Sequence, residues 1–137
     1  MALPHRIFVF GSNLAGKHGK GAALHAAKYF GAIRGEAMGR TGNAYAIPTK
    51  GKNLEILDIK EIAFHAKQFI VYAKAHSDLT FQLTPVGTGL AKFTHDQMAP
   101  LFKGCPPNVL IPKEWESYGL TEDPKSKDNN KADGMGA

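Results

Sequence analysis

The sequence predicts an α/β fold, a single three-layer sandwich around a largely parallel sheet. Short apolar runs rich in β-formers alternate with helical stretches in the order strand, helix, strand, helix, strand, helix, strand, the pattern of crossover-connected parallel strands. Two glycine-rich loops, at 11–21 and 87–91, each follow the end of such a run. A length of 137 residues accommodates one domain with a real core and not two ordinary ones.

The first strand is Arg6-Ile7-Phe8-Val9-Phe10, apolar throughout and stopped by Gly11. The loop that follows carries Gly11, Gly16, Gly19 and Gly21 among Ser12, Asn13, Lys17, His18 and Lys20. Glycines let backbone N–H groups converge on an anion, and residues 22–30, strong helix formers stopped by Gly31, place a helix N-terminus directly behind them. The same turn also serves strand–helix connections that hold no ligand. It matches neither GxxxxGK[ST] nor GxGxxG, and Ala22 stands where a magnesium-binding hydroxyl would follow Lys20-Gly21, which argues against a Walker-type NTPase.

Residues 32–41 lack periodicity and carry repeated glycines, so they predict a loop with at most a short strand. A second strand over 43–49 is expected to finish at Pro48, which has no N–H for a ladder. After a polar turn and a brief extended piece at 54–57, Asp58 caps the longest helix, with Glu61 completing a capping-box-like pair. Its buried face is Ile59, Ile62, Ala63, Ala66, Phe69, Ile70 and Ala73, and His65 falls on its solvated side, as His76 does beyond it. The third strand, 79–86, empties into Gly87-Thr88-Gly89-Leu90-Ala91. Thr94 caps a helix that ends at Gly104, and 108–112 is the last strand. The folded unit is assigned to 1–120, and the lysine-, aspartate- and asparagine-rich segment 121–137 to a disordered polar tail.

Composition narrows the function. The hydrophobic fraction of 43% and charged fraction of 21% are those of a globular protein, without a membrane-length apolar run or a signal-peptide core, so the expected compartment is the cytoplasm. A single cysteine, Cys105, excludes an internal disulfide and a cysteine-built metal site; it is read as a small buried packer, and no metal or cofactor is expected. The net charge of +5 is concentrated early, in Lys17, Lys20, Arg34, Arg40, Lys50 and Lys52, which suits phosphates of a nucleotide or of a nucleic acid as well as a plain solvated face. If the strands before the two glycine loops are neighbours, both loops line one crevice, and paired cradles of backbone donors suit a diphosphate.

In this order the motifs resemble the macro domain, the fold that binds ADP-ribose and its derivatives. The resemblance covers roughly 6–102 and rests on Gly11-Ser12-Asn13-Leu14-Ala15, Gly19-Lys20-Gly21-Ala22-Ala23, the alanine-rich helix, the Ala46-Ile47-Pro48 strand and Val86-Gly87-Thr88-Gly89-Leu90-Ala91. The segment 11–23 is also similar to a group of small bacteriophage and bacterial macro-like proteins of unassigned function. The family's early Gly-Asp-Ile segment, whose aspartate reads the adenine amino group, has no counterpart here.

The resemblance implies a macro-domain-like sandwich that binds ADP-ribose, or a related nucleotide diphosphate, through Gly11, Ser12, Asn13, Gly19, Lys20, Gly21, Ala22, Gly87, Thr88, Gly89, Leu90 and Phe93. It further implies hydrolysis of ADP-ribosyl linkages on a modified macromolecule. Asn13 would orient the ribose, and Lys20 or His18 would stabilise or protonate the leaving group, His18 being a side chain that titrates near neutrality. Two other classes stay open: a nucleotide-binding module without turnover, and a basic nucleic-acid binder. The latter is disfavoured because surface aromatics are not interleaved with the basic residues.

Overall fold

In a computed structural model of the protein, residues 6–122 are described. They form an α/β domain with a five-stranded, mostly parallel mixed sheet in the order β2-β3-β1-β4-β5. Strand β1 (Arg6–Asn13) is central. It pairs in parallel with β3 (Ala44–Lys50) on one side and with β4 (Thr80–Leu83) on the other, and β4 pairs in parallel with β5 (Val109–Leu110). The short β2 (Gly39–Thr41) closes one edge antiparallel to β3.

From β1 the chain passes through helix α1 (Gly21–Tyr29) to β3, and from β3 through α2 (Ile59–Ala75) back across β1 to β4. The two crossovers run in opposite directions, which puts their helices on opposite faces and makes the carboxyl end of β1 a topological switch point. The core divides accordingly. Ile7, Val9, Tyr45 and Ile47 pack with Ile62, Ala66, Phe69, Ile70 and Ala73 of α2, whereas Phe8, Phe10, Ala44 and Ala46 pack with Ala23 and Ala26 of α1. Strand alternation sorts the residues, and the all-alanine contribution of α1 lets that helix ride close to the sheet.

Several boundaries differ from the sequence expectation. β1 continues through Gly11, Ser12 and Asn13, because Ser12 pairs with Pro48 and Asn13 with Lys50 across a register shift. Gly11 is therefore not a strand breaker, and it faces the second loop: its Cβ position lies 3.4 Å from Val86 Cγ1 and 3.6 Å from the Gly87 amide nitrogen, ordinary contact distances. β3 runs past Pro48 to Lys50, because pairing with β2 ends at Ala46 and no N–H is needed beyond it. α1 spans 21–29, with Phe30 as its C-cap and Gly31 turning the chain at φ +72°. β4 and β5 are shorter than the runs that predicted them.

Asp58 caps α2 as expected, accepting from the Lys60 N–H at 2.8 Å; its side chain does not bond Glu61. Ile59 and Ala63 on the expected buried face are half-buried. The helix expected after Thr94 is one turn, α3 (His95–Met98), with a Thr94–Gln97 capping box, and then a 3-10 segment, Ala99–Phe102. A second 3-10 segment, Lys113–Tyr118, buries Trp115 completely, and its indole N–H donates to His95 Nδ1 at 2.9 Å. Cys105 is buried as expected, and burial pushes its thiol pKa up to about 12.

Of the expected tail, residues 123–137 lie outside the described residues, as do residues 1–5 of the folded unit. Thr121 and Glu122 belong to the fold. Thr121 bridges Cys105, the Glu122 N–H donates to the Cys105 carbonyl at 2.7 Å, and the Glu122 carboxylate lies 3.5 Å from Lys74. No helix among the described residues is long and apolar enough to cross a membrane.

Candidate functional site

At the carboxyl end of β1 the sheet opens into a cavity of about 710 Å³. Its walls are the end of β1, the glycine loop and start of α1, the end of β3, and the loop after β4. The two glycine-rich loops thus meet across one crevice, as the sequence anticipated for neighbouring strands. Gly11, Ser12, Asn13, Gly19, Lys20, Gly21, Ala22, Gly87, Thr88, Gly89 and Leu90 all line it.

The first loop is locked by its own backbone. The Asn13 side chain accepts from the Lys17 N–H at 3.0 Å and donates to the Lys17 carbonyl at 2.9 Å, so the amide staples the loop shut. Leu14 N–H donates to the Lys50 carbonyl and Gly16 N–H to the Asn13 carbonyl. The 31–38 segment lies against the back of this loop: Gly35 N–H donates to the Gly16 carbonyl at 2.8 Å, and the Ser12 hydroxyl donates to the Ala37 carbonyl. Asn13 thus positions the loop, and it lines the cavity where the resemblance puts the ribose.

Both cradles present free donors. α1 starts without a side-chain cap at Lys20, and its first turn carries no acidic residue. The N–H groups of Gly21, Ala22 and Ala23, and those of Gly87, Gly89 and Leu90 opposite, make no hydrogen bond among the described residues. Lys17, Lys20 and Lys50 join them in the wall, and no carboxylate does. A lysine at a helix N-terminus opposes the helix dipole by roughly 0.3–1 kcal/mol, a conflict that an anion in the cavity relieves.

Two expected residues stand elsewhere. His18 is 5% exposed and packs its ring edge-on against Phe10, with centroids 5.5 Å apart, on the α1 side of the sheet. It is not part of the cavity wall. Neither ring nitrogen has a partner among the described residues, and burial, with the Arg34 charge adding to it, holds its pKa below the usual value. A neutral imidazole packed behind the loop is not positioned as the acid or base. Phe93 is half-buried against the α2-side core, and only its N–H, donating to the Gly87 carbonyl at 2.9 Å, serves the second loop.

The sequence reading missed the β3 side of the cavity: Thr49, Lys50 and Leu54. Lys50 registered only as charge. The signal that could have found it is strand order, since a β3 adjacent to β1 must end beside the same crevice. Lys17 too registered only as a charge in the first loop, and the Thr84-Pro85-Val86 segment leading into the second loop was not expected in the wall.

Chemically, the cavity offers ammonium and amide donors on a largely aliphatic floor, and its wall contains no histidine, carboxylate or thiol. Such a lining is chemically suited to an anionic group and contains no strong base. In comparisons with known proteins, no family model, no curated protein and no solved structure matches the chain.

Proposed function

We propose that the protein is a macro-domain-like three-layer sandwich whose cavity binds ADP-ribose or a closely related nucleotide diphosphate. One observation carries the reading: two loops of unpartnered amides and an uncapped helix start face each other across a cavity that holds Lys17, Lys20 and Lys50 and no acidic side chain. A pyrophosphate meets donors from both sides in that arrangement, and the helix dipole and lysine charges add to the attraction. The cavity lies within the volume range of small-molecule sites.

Hydrolysis of an ADP-ribosyl linkage is the extension of this reading. Lys20 and the amides of the Gly87–Gly89 turn would stabilise the departing charge, with the substrate itself holding the water in place. Pure binding is the second reading, favoured by the position of His18 behind the loop and by a wall without histidine or carboxylate.

Calorimetric titration of ADP-ribose into the wild-type chain and into Gly19→Glu tests the binding reading. Gly19 has open space at its Cβ position, so the variant folds, and it sets a carboxylate at the mouth of the anion cradle. Saturable one-to-one binding, weakened roughly tenfold or more by Gly19→Glu, is expected. Undetectable binding to the wild type, or equal binding to both, contradicts it. Release of ADP-ribose from a modified protein, measured on the same preparation, separates hydrolase from module.

A further inference from the structure

We infer that the cavity grips the nucleoside end of its ligand by apolar contact with Leu54 and Leu90 and does not read the edge of the base, so nucleotides of adenine, guanine and uracil bind alike; this rests on the nucleotide reading above. Telling one base from another takes a donor or acceptor free to meet its edge, and sites built that way reject the wrong partner because a polar group is left unpaired.

The side-chain hydroxyls of this wall have already given away their one donor. The Ser12 hydroxyl donates to the Ala37 carbonyl, Thr49 to the Ser12 carbonyl at 3.3 Å, Thr84 to the Val9 carbonyl at 2.7 Å and Thr88 to the Pro85 carbonyl at 2.7 Å. The Asn13 amide is held at both ends by the Lys17 backbone. The donors left are ammonium groups, loop amides and the second hydrogen of Asn13 Nδ2, which the diphosphate and ribose are expected to use, and no carboxylate lines the cavity to take an exocyclic amino group.

Two large apolar side chains in the same wall are exposed instead: Leu54 at 43% and Leu90 at 56%. Leu54 follows β3 and Leu90 follows β4, the two strands that flank β1, so the pair brackets the crevice. Leu90 Cδ1 lies 3.9 Å from the Cβ position of Gly21, directly beside the helix start where the phosphates are expected. Leu54 is held at φ +62°, a left-handed conformation uncommon for a leucine, with its N–H donating to the Gly51 carbonyl at 3.0 Å. Every nucleobase has a flat apolar face that such side chains can cover, whatever its edge carries.

The test is calorimetry on the full chain with ADP-ribose, ADP, GDP, UDP and inorganic pyrophosphate, for the wild type and Leu54→Ser. ADP, GDP and UDP are expected to agree within about threefold, and Leu54→Ser to weaken all three about five- to tenfold while leaving pyrophosphate unchanged. ADP favoured by tenfold or more over GDP and UDP overturns base indifference and leaves the nucleotide function standing. A Leu54→Ser variant that weakens pyrophosphate as much as the nucleotides overturns the leucine contact. Failure of all five ligands to bind the wild type removes both proposals together.

Discussion

Among single residues, His18 shows most clearly how a position takes its chemistry from its packing. In the sequence it is a titratable group between Lys17 and Gly19, and a role in proton transfer suggests itself. Folded, it is a buried ring against Phe10 with no hydrogen-bond partner among the described residues, and burial, with the Arg34 charge adding to it, lowers its pKa. The unfolded ring takes up a proton near pH 6.5, the folded ring only at lower pH. Below about pH 6.5 the unfolded state therefore binds more protons, and stability falls as pH falls. His18→Leu should match or exceed wild-type stability at neutral pH, because no hydrogen bond is lost, and should flatten the decline measured by urea denaturation between neutral and mildly acidic pH. His65, whose pKa burial also lowers although Glu61 opposes it, leaves a residual slope. An unchanged slope in the variant would show that His18 is solvated in the folded state. Nothing in the sequence distinguishes a buried loop histidine from an exposed one, since Phe10 and Arg34 reach it only through the fold.

For whole elements, the glycine loop is a structure with its own fastenings. Gly16 sits at φ +71°, and a Cβ there would lie 2.5 Å from Gly35 Cα, so two backbone segments touch where no side chain fits. Gly16→Ala should destabilise the protein by about 2–3 kcal/mol, combining left-handed strain with a forced separation of the 31–38 segment, as read by chemical denaturation. A loss below about 0.5 kcal/mol would mean that the two segments are not in contact. This contact was invisible in the sequence, where both glycines register only as loop composition. The helices were legible because capping and periodicity are local: Asp58 and Thr94 cap as their types predict, and Ile62, Ala66, Phe69, Ile70 and Ala73 bury the expected stripe. Strand ends were less so. The extents of β1 and β3 depend on which neighbour is in register, and Gly11 and Pro48 break strands only where a partner demands what they lack.

Taken whole, the molecule turns sheet order into function. Crossovers leaving β1's neighbourhood in opposite directions create the crevice, and the glycine loops were readable as its rims because each follows a strand that borders it. The third wall, with Lys50 and Leu54, was not readable, because β3's adjacency to β1 is a property of the assembled sheet. The central claim is that both rims donate to one bound diphosphate. Amide hydrogen exchange with and without saturating ADP-ribose tests it most directly, because it reports each loop separately. The account predicts that amides of 19–23 and of 87–91 both gain protection on binding while the distant β5 region stays unchanged. Protection confined to one loop, or to neither, would contradict it.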